Sequence, residues 1–92
     1  MTIFRKLECL LKSSNVKYVI LQDLATGSNV LRIASGNDYI TIHPTNRGVK
    51  MLYEVPTDDY MFEIVDIRRF TSIRTAFNYI NDKTNGSLVL MR

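Results

Sequence analysis

Between residues 30 and 67 the chain passes through four runs rich in β-branched and aromatic residues, "VLRIA" (30–34), "DYITIH" (38–43), "VKMLYEV" (49–55) and "YMFEIVDI" (60–67), joined by three to five residues each. Connections that short exclude parallel neighbours, whose crossovers need about a dozen residues or more. Successive strands therefore pair antiparallel, as a meander. Gly36 and Asn37, then Asn46 to Gly48, then Pro56 to Asp59 supply the turn residues that separate the runs. A fifth run, "VKYVILQD" (16–23), carries apolar side chains on both faces, which predicts a central place in the sheet.

Helical periodicity frames the strands. Ile3, Phe4, Leu7, Leu10 and Leu11 form one stripe of a helix from about Thr2 to Ser13. Phe70, Ile73, Ala76, Phe77 and Ile80 form a second, with Thr71 or Ser72 as N-cap and Gly86 just past its end. "SLVLM" (87–91) reads as a terminal strand. The expected fold is α+β: an antiparallel meander of four to five short strands with an N-terminal and a C-terminal helix.

A chain of 92 residues is too short for two cores, so residues 1–92 form a single domain. Its composition, 46% hydrophobic and 23% charged, is ordinary for a globular protein. The apolar runs fall far short of the roughly 20 residues a transmembrane helix needs. Arg5, Lys6, Glu8 and Lys12 interrupt any signal-peptide core, so the expected location is cytoplasmic, without membrane association.

The net charge of +3 is mild, but its distribution is uneven: residues 1–50 hold seven basic and three acidic side chains, residues 51–92 five basic and six acidic. Glu54, Asp58, Asp59, Glu63 and Asp66 follow one another without an intervening base, directly ahead of Arg68 and Arg69. With Thr71 as N-cap, Arg68, Arg69 and Arg74 surround the start of the second helix, where cations oppose the macrodipole. Two arrangements offset that cost. Either a preceding acid folds back to pair with them, or an external anion binds the arginines and the free N–H groups. Tyr79, beside small polar residues on the outer face of that helix, has the character of an interface residue. These four, Arg68, Arg69, Arg74 and Tyr79, are the first candidate binding site.

A second candidate lies on the sheet. If Leu31, Ile33, Ile40 and Ile42 point inward, then Arg32, Tyr39, Thr41 and His43 point outward. With Lys17 and Lys50 they form a basic face carrying a tyrosine and a histidine, of a kind that binds single-stranded nucleic acid by stacking and charge. Glu54 and Glu63 are expected on the same side, where cross-strand pairs with Lys50 or Arg32 would neutralise it.

Signatures of catalysis are missing. The single cysteine, Cys9, and the single histidine, His43, would have to meet for a thiol mechanism, one from a helix and the other from a strand end. Glu54, Asp58, Asp59 and Glu63 match no metal-loop spacing. The expectation is no enzyme, no cofactor and no metal. The helix–strands–helix order invites comparison with the double-stranded-RNA-binding domain, but "TSIRTAF" offers Arg74 alone where that family has a lysine cluster, and residues 49–67 add strands it lacks. In size and absence of chemistry the chain resembles the small accessory proteins of bacteriophages and mobile elements. That resemblance implies an inhibitor or adaptor that docks on a host protein. Sequence reasoning thus arrives at a small non-catalytic protein-binding module whose partner has an acidic surface, with nucleic-acid binding as the alternative. Homodimerisation would cover the meander's edge strands.

Overall fold

A computed structural model describes residues 2–84. In chain order they form α1 (Ile3–Ser13), β1 (Val19–Gln22), β2 (Asn29–Ser35), β3 (Asp38–Pro44), β4 (Val49–Pro56), β5 (Phe62–Phe70) and α2 (Ile73–Lys83). The five strands make one antiparallel sheet in the order β1-β2-β3-β4-β5, so the fold is α+β as expected. Gly86 and the strand expected over 87–91 lie outside the described residues.

The local signals act as their chemistry requires. Thr2 caps α1 by accepting from the Arg5 amide at 3.2 Å. At the other end, the Val16 amide donates to the Leu11 carbonyl and the Asn15 amide to that of Lys12, while Asn15 takes the left-handed φ of 60°. This pairing is a Schellman motif with asparagine in the usual glycine position, and buried Val16 and Leu11 supply its accompanying apolar contact. Asn15→Val is expected to cost about 1 kcal/mol in chemical denaturation, because a β-branched residue tolerates that conformation poorly.

Both helices pack on one face of the sheet. Phe4, Leu7 and Leu11 of α1 and Ala76 and Ile80 of α2 meet Leu31, Ile33, Ile40, Ile42, Val49 and Met51 in a single core. The inward direction read for Leu31, Ile33, Ile40 and Ile42 is the one observed. No described helix covers the other face.

Two expectations need correction. The run at 16–23 is not a central strand: it shortens to β1, which lies at an edge with all four residues exposed. Its apolar side chains point both ways for a different reason. Val19 and Leu21 share the uncovered face with Arg32 and Val30, while Ile20 stands opposite Leu31, half exposed at the rim of the helix layer. The last strand also extends beyond residue 67. Arg68 and Arg69 belong to β5, opposite Met51 and Lys50, and so do not lead into the helix. A bulge accompanies this extension: Tyr53 faces Asp66 and Glu54 faces Ile64, which leaves Val65 without a partner on β4.

Candidate functional site

Strand alternation sends neighbouring arginines to opposite sides of the sheet. Arg68 shares the helix side with Met51, and Asp66 shares it with Tyr53. There the Tyr79 hydroxyl donates to Asp66 Oδ2 at 2.7 Å, and Arg68 Nε donates to Asp66 Oδ1 at 3.3 Å. The Tyr79 hydrogen bond, more than the Arg68 charge, holds the Asp66 carboxyl below the usual carboxylate range. Burial, and after it the bond to Asp66, pushes the Tyr79 hydroxyl well above its ordinary value. A carboxyl with a lowered folded-state pKa contributes stability at neutral pH and loses it as pH falls through that pKa. Asp66 is thus the acid that offsets Arg68, and Tyr79, expected on the outer face of α2, instead lies half-buried against the core on the sheet side, with the Phe70 ring 5.4 Å away. Arg74 is exposed in the first turn of α2, and the N-cap Ser72 makes no side-chain cap bond. The four residues of the first candidate site are therefore divided: Arg68 and Tyr79 are joined through Asp66, Arg74 stands on the helix, and Arg69 emerges on the open face of the sheet.

On that open face, register builds what spacing alone does not reveal. His43 of β3 lies opposite Lys50 of β4, which lies opposite Arg69 of β5, so three basic side chains form one rung across adjacent strands. His43 Nδ1 is 4.0 Å from Asp23 Oδ2, whereas Lys50 and Arg69 have no carboxylate within ion-pair distance among the described residues. Like charges directly opposite each other destabilise a sheet. Burial, followed by the Lys50 charge, pulls the His43 pKa below its ordinary value, with Asp23 opposing. A shallow pocket of about 200 Å³ beside the rung is lined by His43, Lys50, Arg69, Asp23 and the hydroxyl-bearing Thr26 and Ser28.

The far end of the same face is aromatic. The Arg32 guanidinium lies 4.0 Å from the Tyr39 ring centroid and 5.2 Å from that of Phe62, and the two rings meet edge to face at 5.2 Å. Lys17 joins Arg32 and Tyr39 around a small apolar pocket with Val19 and Ala34. Glu54 accepts from the Thr41 hydroxyl between the two ends, not from Lys50 or Arg32 as expected. Glu63 turns to the helix side, opposite Val55.

Between the basic and aromatic ends the β4–β5 side of the face is apolar. Leu52 and Ile67 stand opposite each other and Ile64 is opposite Glu54, while Val19, at the β1 edge, is separated from Leu52 by Arg32 and Thr41. Ile67, Ile64 and Val19 are 56%, 47% and 55% exposed. An antiparallel sheet with one wet face ordinarily alternates apolar-in and polar-out. These side chains break the rule. Sequence reasoning placed Lys17, Arg32, Tyr39, His43 and Lys50 on this side, and all five border the face. It missed Leu52, Ile64 and Ile67, and it did not set Arg69 beside Lys50. Simple alternation sends Ile64 and Ile67 to opposite faces, so their sharing one depends on the bulge at Val65, and the place of Arg69 depends on the β4–β5 register.

Cys9 is exposed on α1, across the sheet from His43. No three potential ligands among His, Cys, Asp and Glu come together among the described residues. No described helix is long and apolar enough to cross a membrane. No protein-family model, curated protein or solved structure matches the chain.

Proposed function

We propose that the protein is a non-catalytic binding module, an inhibitor or adaptor, that docks on a protein partner through the open face of its sheet. The observation that carries this reading is the apolar strip of Leu52, Ile64 and Ile67 along β4 and β5, on a face that no described helix covers and bordered by Lys50 and Arg69. Exposed apolar surface with a polar rim is the usual mark of a protein interface. The partner it fits presents an apolar strip flanked by Asp or Glu, whose carboxylates relieve the like-charge rung.

Lys50→Glu separates this role from a structural one. It places a carboxylate opposite Arg69, so stability is expected to rise by a few tenths of a kcal/mol in urea denaturation. Affinity for the acidic partner is expected to fall at least about tenfold, measured by calorimetry. A variant that is more stable and binds less well marks the rung as built for a ligand. Unchanged affinity removes the rung from the interface.

The same rung supports a second reading, nucleic-acid binding. Against it, Tyr39 is already engaged by Arg32 and by the Phe62 edge, which leaves less aromatic surface for a base to stack on. Anisotropy titrations of labelled single-stranded DNA, duplex DNA and RNA decide between them. The docking reading expects no binding near physiological salt. Sub-micromolar affinity that falls steeply as salt rises would replace it with the nucleic-acid reading.

A further inference from the structure

β5 is the last strand of the sheet, nine residues long, with no described strand on its outer side. Long free edges invite pairing. The β4–β5 register divides its side chains into two sets. Phe62, Ile64, Ile67 and Arg69 lie on the open face, opposite Pro56, Glu54, Leu52 and Lys50; Glu63, Asp66, Arg68 and Phe70 lie on the helix side, opposite Val55, Tyr53, Met51 and Val49. Val65 is the extra residue between the two halves.

We infer that β5 pairs antiparallel with β5 of a second copy of this chain, about a two-fold axis that passes between Val65 and Asp66. Opposite residues in an antiparallel pair share a face, and this register satisfies that condition on both sides of the bulge. Ile64 meets Ile67 of the other copy on the open face. Phe62 meets Arg69 there, a cation beside a ring. On the helix side Glu63 meets Arg68, opposite in charge. Symmetry makes each of these contacts twice. The single interruption, Val65 in each strand, falls at the axis.

Neighbouring registers fail. Sliding by one pair toward the N-terminal end sets Glu63 against Asp66, two carboxylates. Centring the axis on Asp66 places Glu63, on the helix side, opposite Arg69, on the open face. Centring it on Arg68 puts like charges together. The bulge is what makes the complementary register possible, because without the extra residue Ile64 and Ile67 would point to opposite faces. The product is a continuous ten-stranded sheet whose open faces join into one surface. The inference stands independently of any docking partner, since purified protein alone tests it.

Sedimentation equilibrium on the purified chain is expected to show a monomer–dimer equilibrium. Glu63→Lys, which turns two attractive pairs repulsive, is expected to raise the dissociation constant about tenfold. In a Cys9→Ser background, Ile64→Cys combined with Ile67→Cys is expected to form a disulfide-linked dimer on mild oxidation, whereas either cysteine alone forms little. A wild-type chain that stays monomeric overturns the inference. A dimer that is indifferent to Glu63→Lys and fails to cross-link through the paired cysteines overturns this interface.

Discussion

Gly48→Ala is expected to destabilise the protein by about 3 kcal/mol, at the upper end of what overpacking costs. The glycine has no unusual φ that would demand it; the constraint is space. A Cβ at position 48 would come 1.9 Å from the Phe70 carbonyl oxygen, 2.9 Å from its carbon and 3.0 Å from Thr71 Cα. All three are backbone atoms, so no side-chain rotation relieves the clash. β4 and the end of β5 would have to separate. The same residue closes the turn into β4, its amide donating to Thr45 Oγ1 at 3.0 Å and its carbonyl accepting from the Thr45 amide at 2.9 Å. Since Lys50 and Arg69 lie directly beyond it, the substitution also disturbs the basic rung. Urea denaturation measures the first effect. Stability within 0.5 kcal/mol of wild type, the usual scatter of surface substitutions, would contradict the close approach of the two strands.

Leu7→Ala is expected to cost about 3 to 4 kcal/mol, a large share of the roughly 5 to 10 kcal/mol that holds a domain of this size together. α1 is anchored by three buried side chains, Phe4, Leu7 and Leu11, and Leu7 is the middle one, with no exposed surface. Its truncation leaves a cavity between α1 and the sheet that the flanking turns of a short helix cannot both close. The expected result is a transition midpoint shifted far below wild type and early hydrogen exchange throughout Ile3–Ser13. Leu10→Ala, one turn along and only partly buried, is expected to cost much less. Equal losses at the two positions would place the helix in a different rotation about its axis.

The sequence made the helices and the inward faces of β2 and β3 legible because both follow from periodicity, a local property. β1 was misplaced because apolar residues on both faces are read as burial on both faces, whereas here one set lies on a face that nothing described covers. Arg68 and Arg69 misled for a related reason. Two cations after an acidic stretch and before a helical stripe look like the approach to a helix, yet strand alternation continues through them and sends one to Asp66 and the other to Lys50. The basic rung combines positions 43, 50 and 69, and the apolar strip combines β4 and β5. Neither exists until register is fixed, and the β5 register depends on a bulge that no turn residue announces.

The proposed function requires the open face to be a protein-docking surface. The most direct test places a photo-cross-linking benzophenylalanine at position 67 on that face, or at exposed position 78 on α2, in cells that produce the protein. The expected result is a protein adduct from position 67 of a defined mass other than that of two copies of this chain, which weakens with Lys50→Glu and is missing from position 78. Adducts that form equally from both positions, or that only nuclease removes, would contradict it.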